Sequence, residues 1–391
     1  MEKTILHIAP TPFFSDRGCH IRIEGIVRCL TQLEYNNTVC TYHHGREVTG
    51  VSTKRIKAIA SYTQTAAGPS KHKLLADWRL LILSIQQYRV LKPDVIHAHL
   101  HEGLLIGLLI KYLFFWRMTP VFGDMQGSLS GELTAHGSFE KKPFLKWPVI
   151  ALEWLLMKSA THIICSSQHS LDKIQKEFSI NADKISLAQD GADPIEALTE
   201  KRRNELLKHW QLPNNKILIV YSGALLDSKG LTELKKVIKE TNSKDAHFLI
   251  IGYPTENLVP FLEQEQLQEK CTLTGQIDFA SLGELLSLAD VAIEPKNNEA
   301  GEGSGKMLNY LAARLPVAAF NTVNNNSFLP AQALLAKDTN ELISQLEQLI
   351  FEPELRKSTA RKNYERFTAQ YSWQNCQAQL SNIYQHLANK N

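Results

Sequence analysis

Short, unbroken apolar runs recur along this chain, each followed by a longer amphipathic segment, and the whole rhythm occurs twice. In the first half the runs fall at 5–9, 38–42, 95–98, 121–122 and 162–165; in the second they fall at 217–221, 248–251, 271–273, 291–294 and 317–320. An apolar run without polar alternation suits a strand buried on both faces, and strand–helix alternation of such runs predicts parallel sheets covered on each side by helices. Segments 21–33, 231–240 and 281–289 carry the helical spacing that such cover requires. A chain of 391 residues, 43% hydrophobic and 21% charged, is long enough for two cores of this kind. The predicted fold class is therefore α/β, with two doubly wound, Rossmann-like domains. Turn residues at 189–194 mark the expected boundary, giving one domain over 1–190, a second over 191–368 and a terminal helix over 369–391. That helix places Trp373, Cys376, Leu380, Ile383, Tyr384 and Leu387 on one side.

Charge and cysteine usage narrow the setting. Residues 1–160 hold 19 Lys and Arg against 12 Asp and Glu, a net +7 that leaves −4 on the remainder. Such a half suits phosphates, a phospholipid surface or nucleic acid, although no nucleic-acid motif accompanies it and an unevenly charged solvated surface explains it equally. The six cysteines are scattered without a C-x-x-C pair, which predicts reduced thiols. The opening apolar run is too short for a signal peptide, so a cytoplasmic protein is expected. The most apolar stretch, 104–116, falls short of the ~20 residues that span a bilayer and is interrupted by Lys111. Trp147, Trp154, Leu155, Leu156 and Met157, near Lys141, Lys142 and Lys146, have the composition of an interfacial surface. Core packing is the expectation for them, because a doubly wound domain needs apolar helices. A peripheral contact at the inner face of the membrane stands beside it.

In doubly wound sheets, ligands lie beyond the carboxyl ends of strands, so the chemistry belongs to the following loops. Run 291–294 ends at Glu294-Pro295, and Gly301-Glu302-Gly303-Ser304-Gly305-Lys306 leads into a helix that reaches Asn309. Free amides at a helix start, glycines that permit close approach and the Lys306 charge suit a diphosphate. Glu302 is placed to accept hydrogen bonds from sugar hydroxyls, and Asn309 to bond a ribose. The spacing is neither G-x-G-x-x-G nor a Walker loop, so an ordinary strand-to-helix turn also fits these glycines. In strands, residues two apart share a face, so His97 and His99 point the same way. His97 reads as structural, and His99, at the strand end, as functional. Asp124 and Glu132, in the polar loop 124–132, are acceptor-side candidates beside the plainer reading of a helix cap and a solvated glutamate. Ser166-Ser167 fits a helix N-cap as well as a functional strand end. No D-x-D metal motif occurs, and His97-x-His99 lacks the further ligands that a metal hydrolase needs.

The segment 301–317 resembles the donor-binding signature of glycosyltransferase family 4, in which two glutamates seven residues apart precede a small-residue helix ending in Gly-x-Pro-Val. Glu302 and Gly305 match its first half; Asn309 stands near the second glutamate and Arg314 at the usual glycine. Tyr221-Ser222-Gly223 and Ser228-Lys229-Gly230 resemble the loops whose arginine and lysine neutralise the diphosphate. Lys229 matches, while Ala224 occupies the arginine position and leaves Lys306 to compensate. Arg17-Gly18 resembles the loop facing donor and acceptor, His99 the active-site histidine, and Tyr371-Ser372-Trp373 the start of a last helix that crosses back to the first domain.

The resemblance implies a GT-B fold, its domains facing across a cleft that closes over the donor. It implies sugar transfer from a nucleotide-sugar to a saccharide or lipid-linked acceptor, with retention and without metal or cofactor. His99 and Glu302 would be catalytic. Gly18, Lys229, Gly303, Ser304, Gly305, Lys306 and Asn309 would hold the donor, with Arg17, Asp124 and Glu132 on the acceptor side. A catalytically inactive binding subunit and a nucleotide-sugar epimerase share the fold and remain alternatives.

Overall fold

The computed structural model describes residues 3–15, 18–60, 62, 71–135, 139, 143–297, 305–331, 333 and 335–388. The chain divides into two compact units, one running to Gly191 and resuming at Trp373, the other spanning Ala192 to Ser372. The terminal helix belongs to the first unit from Trp373.

The N-terminal unit comprises β1 (Thr4–Ala9), α1 (Gly18–Gln32), β2 (Asn36–Thr41), β3 (Ser52–Arg55), α2 (Lys71–Leu91), β4 (Val95–His99), α3 (Leu100–Leu113), β5 (Val121–Met125), α4 (Leu129–Ala135), α5 (Lys146–Ser159), β6 (His162–Cys165), α6 (Gln168–Phe178) and β7 (Ile185–Leu187). Its sheet is parallel, in the order β3-β2-β1-β4-β5-β6-β7. The order reverses between β1 and β4, which makes their carboxyl ends the topological switch point. The period of two decides what each face carries. Leu6, Ile8, Ile96 and Ala98 join the core beneath α2, α3, α5 and α6. Ile5, Val95 and Phe122 face the other way, against α1 and the last helix. Ser167 caps α6 by accepting from the Ser170 amide at 3.1 Å, as the sequence allowed.

The C-terminal unit runs α7 (Glu200–His209), β8 (Ile217–Ser222), α8 (Leu231–Glu240), β9 (Ala246–Ile251), α9 (Val259–Gln264), β10 (Cys271–Leu273), α10 (Phe279–Leu286), β11 (Val291–Glu294), α11 (Gly305–Ala312), β12 (Val317–Phe320), α12 (Val323–Phe328), β13 (Leu335–Ala336), α13 (Thr339–Phe351) and α14 (Pro353–Gln370). Its parallel sheet has the order β10-β9-β8-β11-β12-β13, with the switch point between β8 and β11. Strands β3, β7 and β13 escaped the list of apolar runs. All three lie at sheet edges, where Ser-Thr-Lys-Arg, Ile-Ser-Leu and a two-residue strand give no continuous apolar run.

The last helix, α15 (Trp373–Ala388), packs on α1 through Trp373, Cys376, Leu380, Ile383 and Tyr384. Gly25 makes the approach possible, since a Cβ there would lie 2.1 Å from the Trp373 ring. Gly25→Ala should lower stability by about 1–3 kcal/mol through overpacking. In a Trp373→Ala background the same change should cost much less, a coupling that a double-mutant cycle of thermal melts measures. Equal cost in both backgrounds would mean that α15 is not seated on Gly25.

Candidate functional site

The N-terminal switch point carries a buried polar cluster. His7 on β1 stands opposite His97 on β4, and His99 opposite Asp124 on β5. The side chains project to the α1 face, where His97 and His99 stack with ring centroids 4.7 Å apart. Asp124 receives Arg22 of α1 through Nε at 3.0 Å and Nη2 at 2.6 Å. Arg22 Nη1 donates to the Ala188 carbonyl at 2.8 Å and to Asp190 at 2.7 Å. Burial alone would raise Asp124, but the guanidinium and the His99 hydrogen bond reverse this and hold its carboxyl far below the usual range.

Hydrogen-bond polarity can be followed through the cluster. Asn37 Nδ2 donates to the Tyr35 carbonyl at 2.9 Å, which turns its Oδ1 toward His7 Nε2 at 3.0 Å. His7 therefore donates from Nε2 and accepts at Nδ1 from His99 Nε2, 3.1 Å away. His99 Nδ1 lies 2.9 Å from Asp124 Oδ2, so both ring nitrogens of His99 are engaged within the cluster. His97 Nδ1 meets the Tyr384 hydroxyl of α15 at 2.6 Å.

This arrangement revises two expectations. His99 is 0% exposed with both nitrogens engaged, and Asp124, read as an acceptor-side residue, is the anion of an internal ion pair. His97, His99 and Asp124 offer ligand atoms within 4.8 Å of one another. Arg22 and His99 already claim the carboxylate, so the set is built as a hydrogen-bonded core in which a cation would face a guanidinium. Arg22 and His7 were missed by the sequence reading, which placed Tyr384 on the apolar side of the last helix without this polar role. Their signal was a polar residue on an otherwise apolar helix face or strand.

The C-terminal switch point gathers the donor candidates. Gly305 opens α11 and is exposed. Lys306 lies 2.8 Å from Glu294 Oε1, at the end of β11, with its ammonium 4.6 Å from the Tyr221 ring centroid. Its charge is therefore shared with a buried carboxylate that sequence reasoning overlooked. Tyr310, also on α11, pins the end of β8 by accepting from the Ser222 amide at 2.7 Å. Lys229 closes the short turn Asp227–Lys229, exposed and with no side-chain partner among the described residues. Gly230 then turns the chain at φ 86°, and a Cβ there would lie 2.4 Å from the Pro295 carbonyl. That close approach fixes the Lys229 turn beside the loop that follows β11. Asn309 is half-buried in α11, its amide without a partner among the described residues.

Gly18 begins α1 with open space about its Cα. Arg17, Glu302, Gly303 and Ser304 lie outside the described residues, as does the side chain of Glu132 in α4. A surface hollow of about 660 Å³, lined by Lys208, Lys216, His247 and Glu269, sits at the amino ends of β8 and β9, away from the switch point.

Comparison with known proteins agrees with this fold. Residues 17–196 match Glycosyltransferase Family 4, and residues 202–366 match the group 1 glycosyl transferases. The chain is 23% identical over 255 residues to an alpha-D-kanosaminyltransferase from Streptomyces kanamyceticus, covering 63% of this chain and 64% of that protein. Among solved structures it resembles sucrose-phosphate synthase from Thermosynechococcus elongatus, with TM-score 0.81 and 15% identity over 100% of each chain. It also resembles Anabaena HepE in complex with UDP-glucose, with TM-score 0.76 and 13% identity over 98% of this chain and 99% of that one.

The buried histidines make stability depend on pH. Burial first, then the charge of His99, lowers His7 from 6.5 to about 3. Burial and the other two histidines hold His97 well below its ordinary value. Both are therefore neutral when folded and gain protons on unfolding in acid. Their contribution is complete above pH ~6.5 and is lost as the pH falls toward ~3, by up to about 2.7 kcal/mol per pH unit for two protons. Thermal melts between neutral and acid pH should show this slope, and His97→Leu should remove about half of it. Parallel profiles for the two proteins would refute the assignment.

Proposed function

We propose, from the premise that this chain belongs to the glycosyltransferase family 4 type with a GT-B fold, that it transfers a sugar from a nucleotide-sugar donor to a saccharide or lipid-linked glycan acceptor. One observation carries the reading: the start of α11 and the Lys229 turn stand together at the carboxyl ends of β8 and β11, where a doubly wound sheet takes its ligand. The Streptomyces relative named for kanosaminyl transfer and the UDP-glucose complex of HepE support a donor of this class.

Cleavage of a sugar–nucleotide bond leaves negative charge on the departing diphosphate and positive charge on the sugar. Preorganised donors stabilise that leaving group at no reorganisation cost. Lys229 supplies the unshared cation, the amides at the start of α11 supply aligned dipoles, and Lys306 supplies a charge tempered by Glu294. In this reading the diphosphate is neutralised by side chains and helix amides without a bound metal. Glu302 holds the transferred sugar and Asn309 the ribose. Retention follows the family pattern, the leaving phosphate taking the acceptor's proton as the new bond forms on the same face. His99 acts from beneath the surface, holding β1, β4 and β5 in register at the acceptor-side domain.

Ala224, Asn309 and Arg314 favour a second reading, a binding subunit that keeps the nucleotide site without turnover. A thermal-shift screen against nucleotide sugars followed by transfer assays separates the two, since a true donor raises the melting temperature. Binding without transfer across a broad donor panel supports the subunit, and release of free sugar and nucleotide without acceptor supports an epimerase. Lys229→Ala should keep its melting temperature and lose about 10- to 100-fold in kcat/KM for the donor, the worth of a charge-assisted hydrogen bond. Lys306→Ala should instead destabilise by about 3 kcal/mol, because it strands Glu294 in the interior. Normal transfer by Glu302→Ala would remove that residue from the site.

A further inference from the structure

Helix α3 is apolar all round, a composition that calls for cover on every side. One side has it, with Leu104, Ile106, Leu108 and Ile110 buried in the N-terminal core. The opposite side, Leu105, Leu109, Tyr112 and Leu113, is exposed and continues into Phe115, Trp116 and Met118. Helix α5 packs beside α3 and repeats the pattern, with Leu156 and Met157 inside and Trp147, Leu152, Trp154 and Leu155 outside. The expectation that these tryptophans fill the core is thus corrected: Trp147 is 76% and Trp154 46% exposed. Of the 22 large apolar side chains exposed among the described residues, 12 lie between Leu105 and Leu155, against five in the whole C-terminal unit. Apolar exposure gathered in this way marks a docking face.

The charges on these segments identify what docks. Across α3, α5 and the turns that flank them, 100–118 and 143–159, the basic residues are Lys111, Arg117, Lys146 and Lys158, and the acids are Glu102, paired with Lys73, and Glu153. Glu153 is buried, accepting from the Leu129 amide at 2.9 Å and paired with His101 at 3.2 Å, so it offers nothing to solvent. With Glu102 matched by Lys73, the outward charge that is left is positive. A second copy of the chain on a two-fold axis would set this face against itself and oppose like charges. Tryptophan and tyrosine among aliphatic side chains, with lysine and arginine alone for charge, match an anionic lipid–water interface. No described helix is long and apolar enough to cross a membrane.

We propose that the outward face of α3 and α5 seats the N-terminal unit on an anionic membrane surface, with Trp116, Trp147 and Phe115 at headgroup depth and Lys111, Arg117 and Lys146 toward the phosphates. The proposal stands on this surface alone and not on the donor chemistry. Flotation of the full-length chain with vesicles of phosphatidylcholine and phosphatidylglycerol tests it, with phosphatidylcholine vesicles as the comparison. The chain should float with the anionic vesicles, bind the neutral ones far less, and lose binding as salt rises. Its tryptophan emission should shift to the blue on binding. The combined change Phe115→Ser, Trp116→Ser and Trp147→Ser should weaken partitioning by about tenfold or more. Arg117→Glu with Lys146→Glu should weaken it by at least about fivefold per charge removed. Both variants alter exposed side chains, and unchanged melting confirms that they fold. No flotation of the folded chain, or equal flotation of both variants, overturns the proposal. So does a dimer that the serine variant abolishes in a chain that ignores vesicles. A nucleotide-sugar thermal shift reads the donor site separately, so a failure here leaves that reading untouched.

Discussion

A guanidinium and a carboxylate buried side by side hold the N-terminal unit together at its switch point. Removing either partner would leave an uncompensated charge inside the sheet–helix layer, a loss of about 3–5 kcal/mol. The pair therefore fixes the elements it joins. Arg22 ties α1 to β5 through Asp124 and to the chain after β7 through Ala188 and Asp190. Asp124 extends the tie to β4 through His99, and His99 extends it to β1 through His7. Each partner is satisfied by the next, which is the condition under which buried polar networks rigidify a core instead of weakening it.

The C-terminal switch point uses the same physics more sparingly. Lys306 folds back on Glu294 and Tyr221, so the start of α11 is tied to β11 and β8 before any ligand arrives. Tyr310 adds a neutral bond to the Ser222 amide. Lys229 is held differently, by a glycine that lets its turn lie against the Pro295 carbonyl and leaves its ammonium without a partner among the described residues. One lysine is structural and charge-balanced; the other meets no carboxylate among those residues. That division of labour fits a site in which a positive charge awaits an anionic ligand and preorganisation is already complete.

Much of this was legible from residues and spacing. Central strands announced themselves because burial on both faces demands continuous apolar runs, whereas the edge strands β3, β7 and β13 carry no such demand. His97 and His99 were readable as a pair on one face from the period of a strand. Their partner Arg22 was not, because a buried arginine is recognisable only once a carboxylate from 102 residues away is brought beside it. Lys306 was read as a free cation because the sequence shows its loop but not the fold-back onto Glu294. Arg314 is instructive in another way. It stands where the family pattern has glycine and adopts φ 58°, a conformation glycine takes without strain. Its guanidinium lies 4.3 Å from the Tyr364 ring centroid, and that contact offsets part of the backbone cost.

The two faces of the N-terminal sheet show why periodicity alone could not place the tryptophans. On the α1 face, a strand period of two brings histidines inward, and side chains from α1, β2, β5 and α15 match their polar groups, His97 Nε2 excepted among the described residues. On the α3 face the central strands present apolar side chains, so a helix needs one apolar stripe to cover them. Helices α3 and α5 carry two stripes each, and the sheet can absorb only one. The surplus stripe is energetically idle in an isolated domain, and the acids on the same helices are spent elsewhere, Glu102 on Lys73 and the buried Glu153 on His101. A stripe that does not stabilise the core and whose free charges are basic suits contact with something both apolar and anionic, and a lipid surface supplies the two together.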